Sequence, residues 1–207
     1  MDSRGQIRKI EQFIGDQVEQ QNQTYQALQV WNQAQLWFAR AYFPNSSVYM
    51  LEVGDSSAQV QVKLLASSTV VGSIQGWTDY RAQNGIMESA SVKIAAKNSA
   101  EAILVLSVHE LGHVLGIGHV SCCGKDLMNA YPVTNAASYI PTTLDLYAVH
   151  VLASGGLMPR YVSLPNKIAY QTVPNTELAL PELPNLLYVL ILVSSLMLVL
   201  RRRLKKR

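Results

Sequence analysis

Apolar residues recur at spacings of three and four in Leu28, Trp31, Ala34 or Gln35, Phe38 and Ala41, which predicts an amphipathic helix over 26–42 packed on a sheet. Phe43-Pro44-Asn45-Ser46 ends it. β candidates follow at 48–53, in the alternating stretch 58–64, weakly within 67–76, and in the short segments 85–88 and 91–95. A second helix opens after Lys97-Asn98-Ser99, which supplies a plausible N-cap, and it is apolar nearly all round until Glu110, as a buried central helix should be. A third starts at Pro141-Thr142-Thr143-Leu144-Asp145, with Thr142 as N-cap and Asp145 three positions on, and runs through Leu152 to Gly155-Gly156. His150 lies in it without a ligand-spaced partner and reads as structural.

The two ends differ from this middle. Residues 1–25 are polar and Gln-rich, with Ile7, Ile10, Ile14 and Val18 at helical spacing, and predict an N-terminal helical extension. An ordered helix, a remnant of a longer precursor and a stalk are all compatible with it. From Pro159 onward five prolines, the last at Pro184, make 159–183 a stalk or an extended wrap with short β pieces. Leu186 to Leu200 carries no charge and only Ser194 and Ser195 as polar interruptions, so 184–200 predicts a short transmembrane helix. Residues 201–207 form a basic tail able to snorkel at its end. The domain left between these flanks is 26–158.

Charge adds little to the picture of that domain. The formal net charge is +3, but six of the 17 Lys and Arg lie in 201–207, and the first 200 residues hold 11 basic against 14 acidic groups. A tail makes the protein basic, which removes the case for a nucleic-acid-binding body. The first forty residues contain no continuous apolar run, so no signal peptide is visible. The positive-inside rule nonetheless places the tail in the cytoplasm and the preceding domain outside, as a single-pass membrane protein. Asn22-Gln23-Thr24 and Asn45-Ser46-Ser47 are glycosylation acceptors compatible with that side. Export would then need sequence upstream of Met1 or a removed region; the other possibility is a C-terminal anchor inserted after synthesis.

The chemistry is concentrated in His109-Glu110-Leu111-Gly112-His113-Val114-Leu115-Gly116-Ile117-Gly118-His119, which holds three of the four histidines. Residues four apart share a helix face, so His109 and His113 can point at one ion. Glu110 is one position round and can reach a water at the open fourth position. Gly116 stops the helix and takes a left-handed or tight turn at no steric cost, bringing His119 in as a third ligand. Three imidazoles with one open position are the catalytic form of a zinc site. Such a pattern arises by chance in a chain of this length only about once in 10⁵. A Glu and two His in so apolar a helix would be costly unless satisfied by one another or by a metal.

With Met128 in Asp126-Leu127-Met128-Asn129, nine residues after His119, the motif resembles that of the metzincin zinc endopeptidases, whose extended motif ends in a Met-turn. The chain is most similar to their matrixin-like branch, over roughly 27–152: Ala27-Leu28-Gln29-Val30-Trp31, Tyr131-Pro132 after the Met, and Leu144-Asp145-Leu146-Tyr147 belong to the likeness. The resemblance implies an α+β zincin fold with a mostly parallel five-stranded sheet, a long active-site helix, a Met-turn and a C-terminal helix. It implies one Zn²⁺ on His109, His113 and His119, Glu110 as general base, Met128 as an apolar floor, and Gly116 as a geometric residue. Protein or peptide substrates would be cut at internal bonds. They would pair with a sheet edge, for which 92–95 is one candidate and an ordinary core strand the equal alternative, and pocket residues would fall within 131–139. Two other readings compete: a membrane-anchored scaffold that kept the metal but lost turnover, and a closed structural site using Cys122 or Cys123. Glu110 argues against the first, because a structural zinc needs no base. The two cysteines are adjacent, have no second pair to staple, and read more simply as inert thiols.

Overall fold

The computed structural model describes residues 7–13, 18–46, 48–54, 57–65, 75–84, 86–95, 99–120, 126–130, 139–155, 163–174 and 178. Its elements are β1 (Ile7–Phe13), α1 (Val18–Tyr42), β2 (Met50–Val53), β3 (Val60–Leu65), β4 (Gly76–Gln83), β5 (Ile86–Ala95), α2 (Ala100–Val114) and α3 (Thr143–Ala153). The strands form one mixed sheet in the order β2-β1-β3-β5-β4; β4 runs antiparallel to β5 and the other neighbours are parallel.

This sheet corrects the architecture implied by the resemblance. The sheet is mixed, and its strands are not the set that hydrophobic alternation selects. Ile7–Phe13, expected to be helical, is a strand between β2 and β3, where parallel neighbours on both sides satisfy its backbone. The stretches 85–88 and 91–95 are one continuous strand. Ile94 and Ala95 are buried within the sheet, so 92–95 belongs to an interior strand and the sheet edge on that side is β4. No described helix is long and apolar enough to cross a membrane, so the expected transmembrane helix and the single-pass location built on it are not supported. The segment 184–200 lies outside the described residues.

Packing follows from the apolar stripes. Ala27, Leu28, Trp31, Ala34 and Phe38 are buried along α1, and the Trp31 indole N–H donates to the Val108 carbonyl at 2.7 Å, which ties α1 to α2. Asn32 reads the backbone of β2: its Nδ2 donates to the Leu51 carbonyl and its Oδ1 accepts from the Leu51 amide, both at 2.8 Å. A buried amide thus supplies the groups that an edge strand otherwise leaves unpaired. The Ser99 side chain caps α2 by accepting from the Ala102 amide, and Thr142 with Asp145 closes a capping box on α3. Residues within 163–174 return along the start of α3: the Thr143 amide donates to the Gln171 carbonyl, the Val173 amide to that of Pro141, and Ile168 and Val173 are buried.

Candidate metal centre

His109 and His113 lie four apart on α2, and the chain must reverse to bring a third ligand. It does so through two bonds at the helix end: the Gly116 amide donates to the His113 carbonyl and the Ile117 amide to that of Gly112. This is the Schellman pattern, and Gly116 holds φ +95° within it. A side chain there would be strained by φ and would also lie 2.9 Å from Leu152 Cδ1. The reversed chain carries His119 back over the helix. His119 Nε2 then lies 3.2 Å from the Nε2 of His109 and 3.2 Å from that of His113, and the ligand atoms of all three lie within 4.8 Å of one another.

The outer ring nitrogens fix what the inner ones can do. His109 Nδ1 is 2.7 Å from the Leu127 carbonyl and His113 Nδ1 is 2.9 Å from that of Ile117. A carbonyl only accepts, so each Nδ1 carries the proton and each Nε2 presents a lone pair. His119 has at most one Nε2 proton to offer two facing lone pairs. A cation between them satisfies all three, and nitrogens about 2.0–2.1 Å from a tetrahedral ion would be about 3.3 Å apart, close to the 3.2 Å that separates His119 from each of the other two. The three-histidine group can hold a metal ion. Burial pushes the His109 pKa down to about 4, against an opposing pull from the Leu127 carbonyl; burial also lowers His113. Both shifts favour the neutral imidazole that a metal requires.

The turn at 126–129 is the scaffold for this group. The Leu127 carbonyl orients His109, while the Met128 carbonyl accepts from the Val120 amide, next to His119. The Met128 side chain is fully buried, and a Cβ added to Gly112 would collide with its sulfur and lie 3.1 Å from Trp31. Gly112 therefore lets α2 sit on the Met128 floor, a role that motif spacing alone does not show. Gly112→Ala is expected to force Met128 aside and cost about 1–3 kcal/mol of stability, read as a lower urea midpoint with an unchanged slope.

Behind the turn stands a buried carboxyl pair. Asp126 Oδ1 accepts from the Met128 amide at 3.0 Å, and its Oδ2 accepts from the Tyr170 hydroxyl at 2.8 Å. Asp145 accepts from the Thr142 amide and hydroxyl. Burial, then the adjacent Asp126 charge, push the Asp145 pKa well above its ordinary 3.8. The native state therefore holds a proton that the unfolded chain releases. This contribution is complete below pH 3.8 and is lost as pH rises through the raised native value. Asp145→Asn keeps a donor towards Asp126 and does not titrate, so its melting temperature should fall less than the parent's as pH is raised from 4.

Glu110 extends from α2 towards β4. Its Oε2 accepts from the Thr78 hydroxyl at 2.6 Å, and Gly76 is so close that an added Cβ would lie 2.8 Å from Oε1. Burial raises the Glu110 pKa to about 7, with the Thr78 hydrogen bond pulling the other way. His113 is half-buried and His119 exposed, so the cluster opens to solvent on their side. His150 stands apart from it, its ring stacked on Phe43 with centroids 4.0 Å apart, and burial followed by the nearby Lys167 lowers its pKa. Cys122, Cys123 and 131–138 lie outside the described residues.

Gly76 and Thr78 have no place in the motif, and 67–76 was the stretch expected to be the strand here. The available signal was Asn84-Gly85, a two-residue hairpin turn. Asn84 holds φ 52°, and Gln83 pairs with Ile86 across the turn. No protein-family model matches the chain, and no curated protein matches it.

Proposed function

We propose that this protein is a zinc-dependent endopeptidase of the metzincin type that hydrolyses internal peptide bonds. The observation that carries the reading is the convergence of three imidazole Nε2 atoms at the end of α2, the helix that also carries the buried carboxylate Glu110. Three neutral nitrogen donors with one side open suit Zn²⁺ in its catalytic form. Such an ion, when bound, supplies a Lewis acid that acidifies water and polarises a carbonyl. Glu110 takes a proton from the attacking water as the water oxygen bonds to the carbonyl carbon. It returns that proton to the amide nitrogen as the C–N bond breaks. Met128 and the Leu127 carbonyl hold the ligand set and take no part in proton transfer.

The substrate class rests on the sheet. Among the described residues no strand pairs with the outer side of β4, and Thr78 on that strand touches Glu110. An extended peptide added to this edge would run past the carboxylate, held by main-chain bonds that do not depend on its sequence. The test is digestion of an unfolded protein with and without a chelator. The proposal expects cleavage at internal bonds, loss on chelation and recovery on return of one equivalent of zinc. Zinc-loaded protein that leaves the substrate intact would refute it.

A further inference from the structure

We propose that Thr78 is a positioning residue that holds the Glu110 carboxylate in place for its role, with Gly76 providing the space. The inference rests on the peptidase reading above. Residues 76 and 78 face the same side of β4, and it is the side towards α2. Both meet the same carboxylate, Gly76 beside Oε1 and Thr78 on Oε2. The Thr78 hydroxyl lies 2.6 Å from Oε2 and 3.3 Å from the Glu110 carbonyl. One proton serves one acceptor, and the shorter contact has the length of a charge-assisted O–H···O⁻ bond. A Glu side chain has three rotatable bonds, and a hydroxyl on a neighbouring strand removes much of that freedom before substrate arrives.

The opposite face of β4 explains why Thr78 itself is well placed. Lys93 Nζ donates to Asp79 Oδ2 at 2.8 Å, Trp77 Nε1 reaches the same oxygen at 3.2 Å, and the ammonium lies 5.1 Å from the Trp77 ring centre. Trp77 and Lys93 are also paired in the ladder, as are Thr78 and Val92, and the register is unbroken from Gly76 to Arg81. Exposed contacts of this kind are individually weak, but they reinforce a register that the β4–β5 hydrogen bonds already set. An added methyl at Gly76 would meet the far end of a flexible side chain. That collision costs little stability because Glu110 can turn away, and it costs position for the same reason.

The experiment compares Thr78→Val, Thr78→Ser and Gly76→Ala with the parent in the zinc-loaded full chain, using one fluorogenic peptide. Thr78→Val should lower kcat about 10–100-fold with KM and zinc content within about twofold. Thr78→Ser should recover to within about threefold. Gly76→Ala should lower kcat while its melting temperature falls no further than that of Thr78→Val. A thermal cycle on the metal-free protein reads the contact without turnover: Thr78→Val should lower the melting temperature by about 3 °C or more in the parent and by less than about 1 °C in Glu110→Ala. Parental kcat in Thr78→Val, or an equal thermal loss in both backgrounds, overturns the inference. If zinc-loaded parent cleaves nothing, the peptidase reading falls and the thermal cycle alone decides whether Thr78 holds Glu110, additivity counting against it.

Discussion

Glu110→Gln is expected to lower kcat by about 10²–10⁴-fold while leaving metal content and fold intact. The amide has the shape of the carboxylate, and its oxygen can still accept from Thr78, so α2 and the three ligands keep their places. What is lost is the proton acceptor, and a factor of that size corresponds to about 3–5 kcal/mol of activation free energy. KM should change little, because the lost interaction belongs to the transition state. Since burial disfavours the charged form of Glu110, replacing it with a neutral amide should not lower the melting temperature. Activity, metal content and melting of the same preparation check all three points. Parental turnover in this variant would remove Glu110 from the mechanism.

His113→Ala is expected to act on a different link. It removes one lone pair from the cluster and also the hydrogen bond to the Ile117 carbonyl, which braces the turn carrying His119. Metal affinity should collapse, and with it the stabilisation that binding gives to the folded state. For an ion present at a thousand times its dissociation constant that stabilisation is about 4 kcal/mol, or roughly 10 °C for a domain of this size. A chelator should therefore lower the parent's melting temperature by about that amount and leave the variant's unchanged. In the absence of metal the two should differ by much less, because His113 is half-buried and its removal opens little cavity. An equal response to chelator in both would mean that the ion is held elsewhere.

These effects were accessible from the sequence to different degrees, for reasons that lie in the elements themselves. Ligand spacing on α2 and the glycine at its end are local properties, set by 3.6 residues per turn and by a positive φ, so His109, His113, His119 and Gly116 could be placed without a tertiary structure. The caps at Ser99 and Thr142 are equally local. The sheet is not. Ile7–Phe13 carries a spacing that also suits a helix, and its strand state comes from pairing with segments some 40–55 residues away. β4 is half-buried at its start and exposed through Gln83, so it lacks the apolar alternation that marks a strand. Thr78 and Gly76 were hidden with it. Gly112 was visible as a letter in the motif, but its reason is the Met128 sulfur that arrives from another segment. The apolar stretch at 184–200, for which composition alone predicted a membrane span, lies outside the described residues.

The most direct test is cleavage of a peptide library in ¹⁸O-water by the zinc-loaded protein, read by mass spectrometry alongside Glu110→Gln. The expected result is new termini inside the peptides, one ¹⁸O in each new carboxylate, and loss of both signals in the variant and on chelation. Intact peptides in the presence of protein holding one zinc on His109, His113 and His119 would contradict the proposed activity.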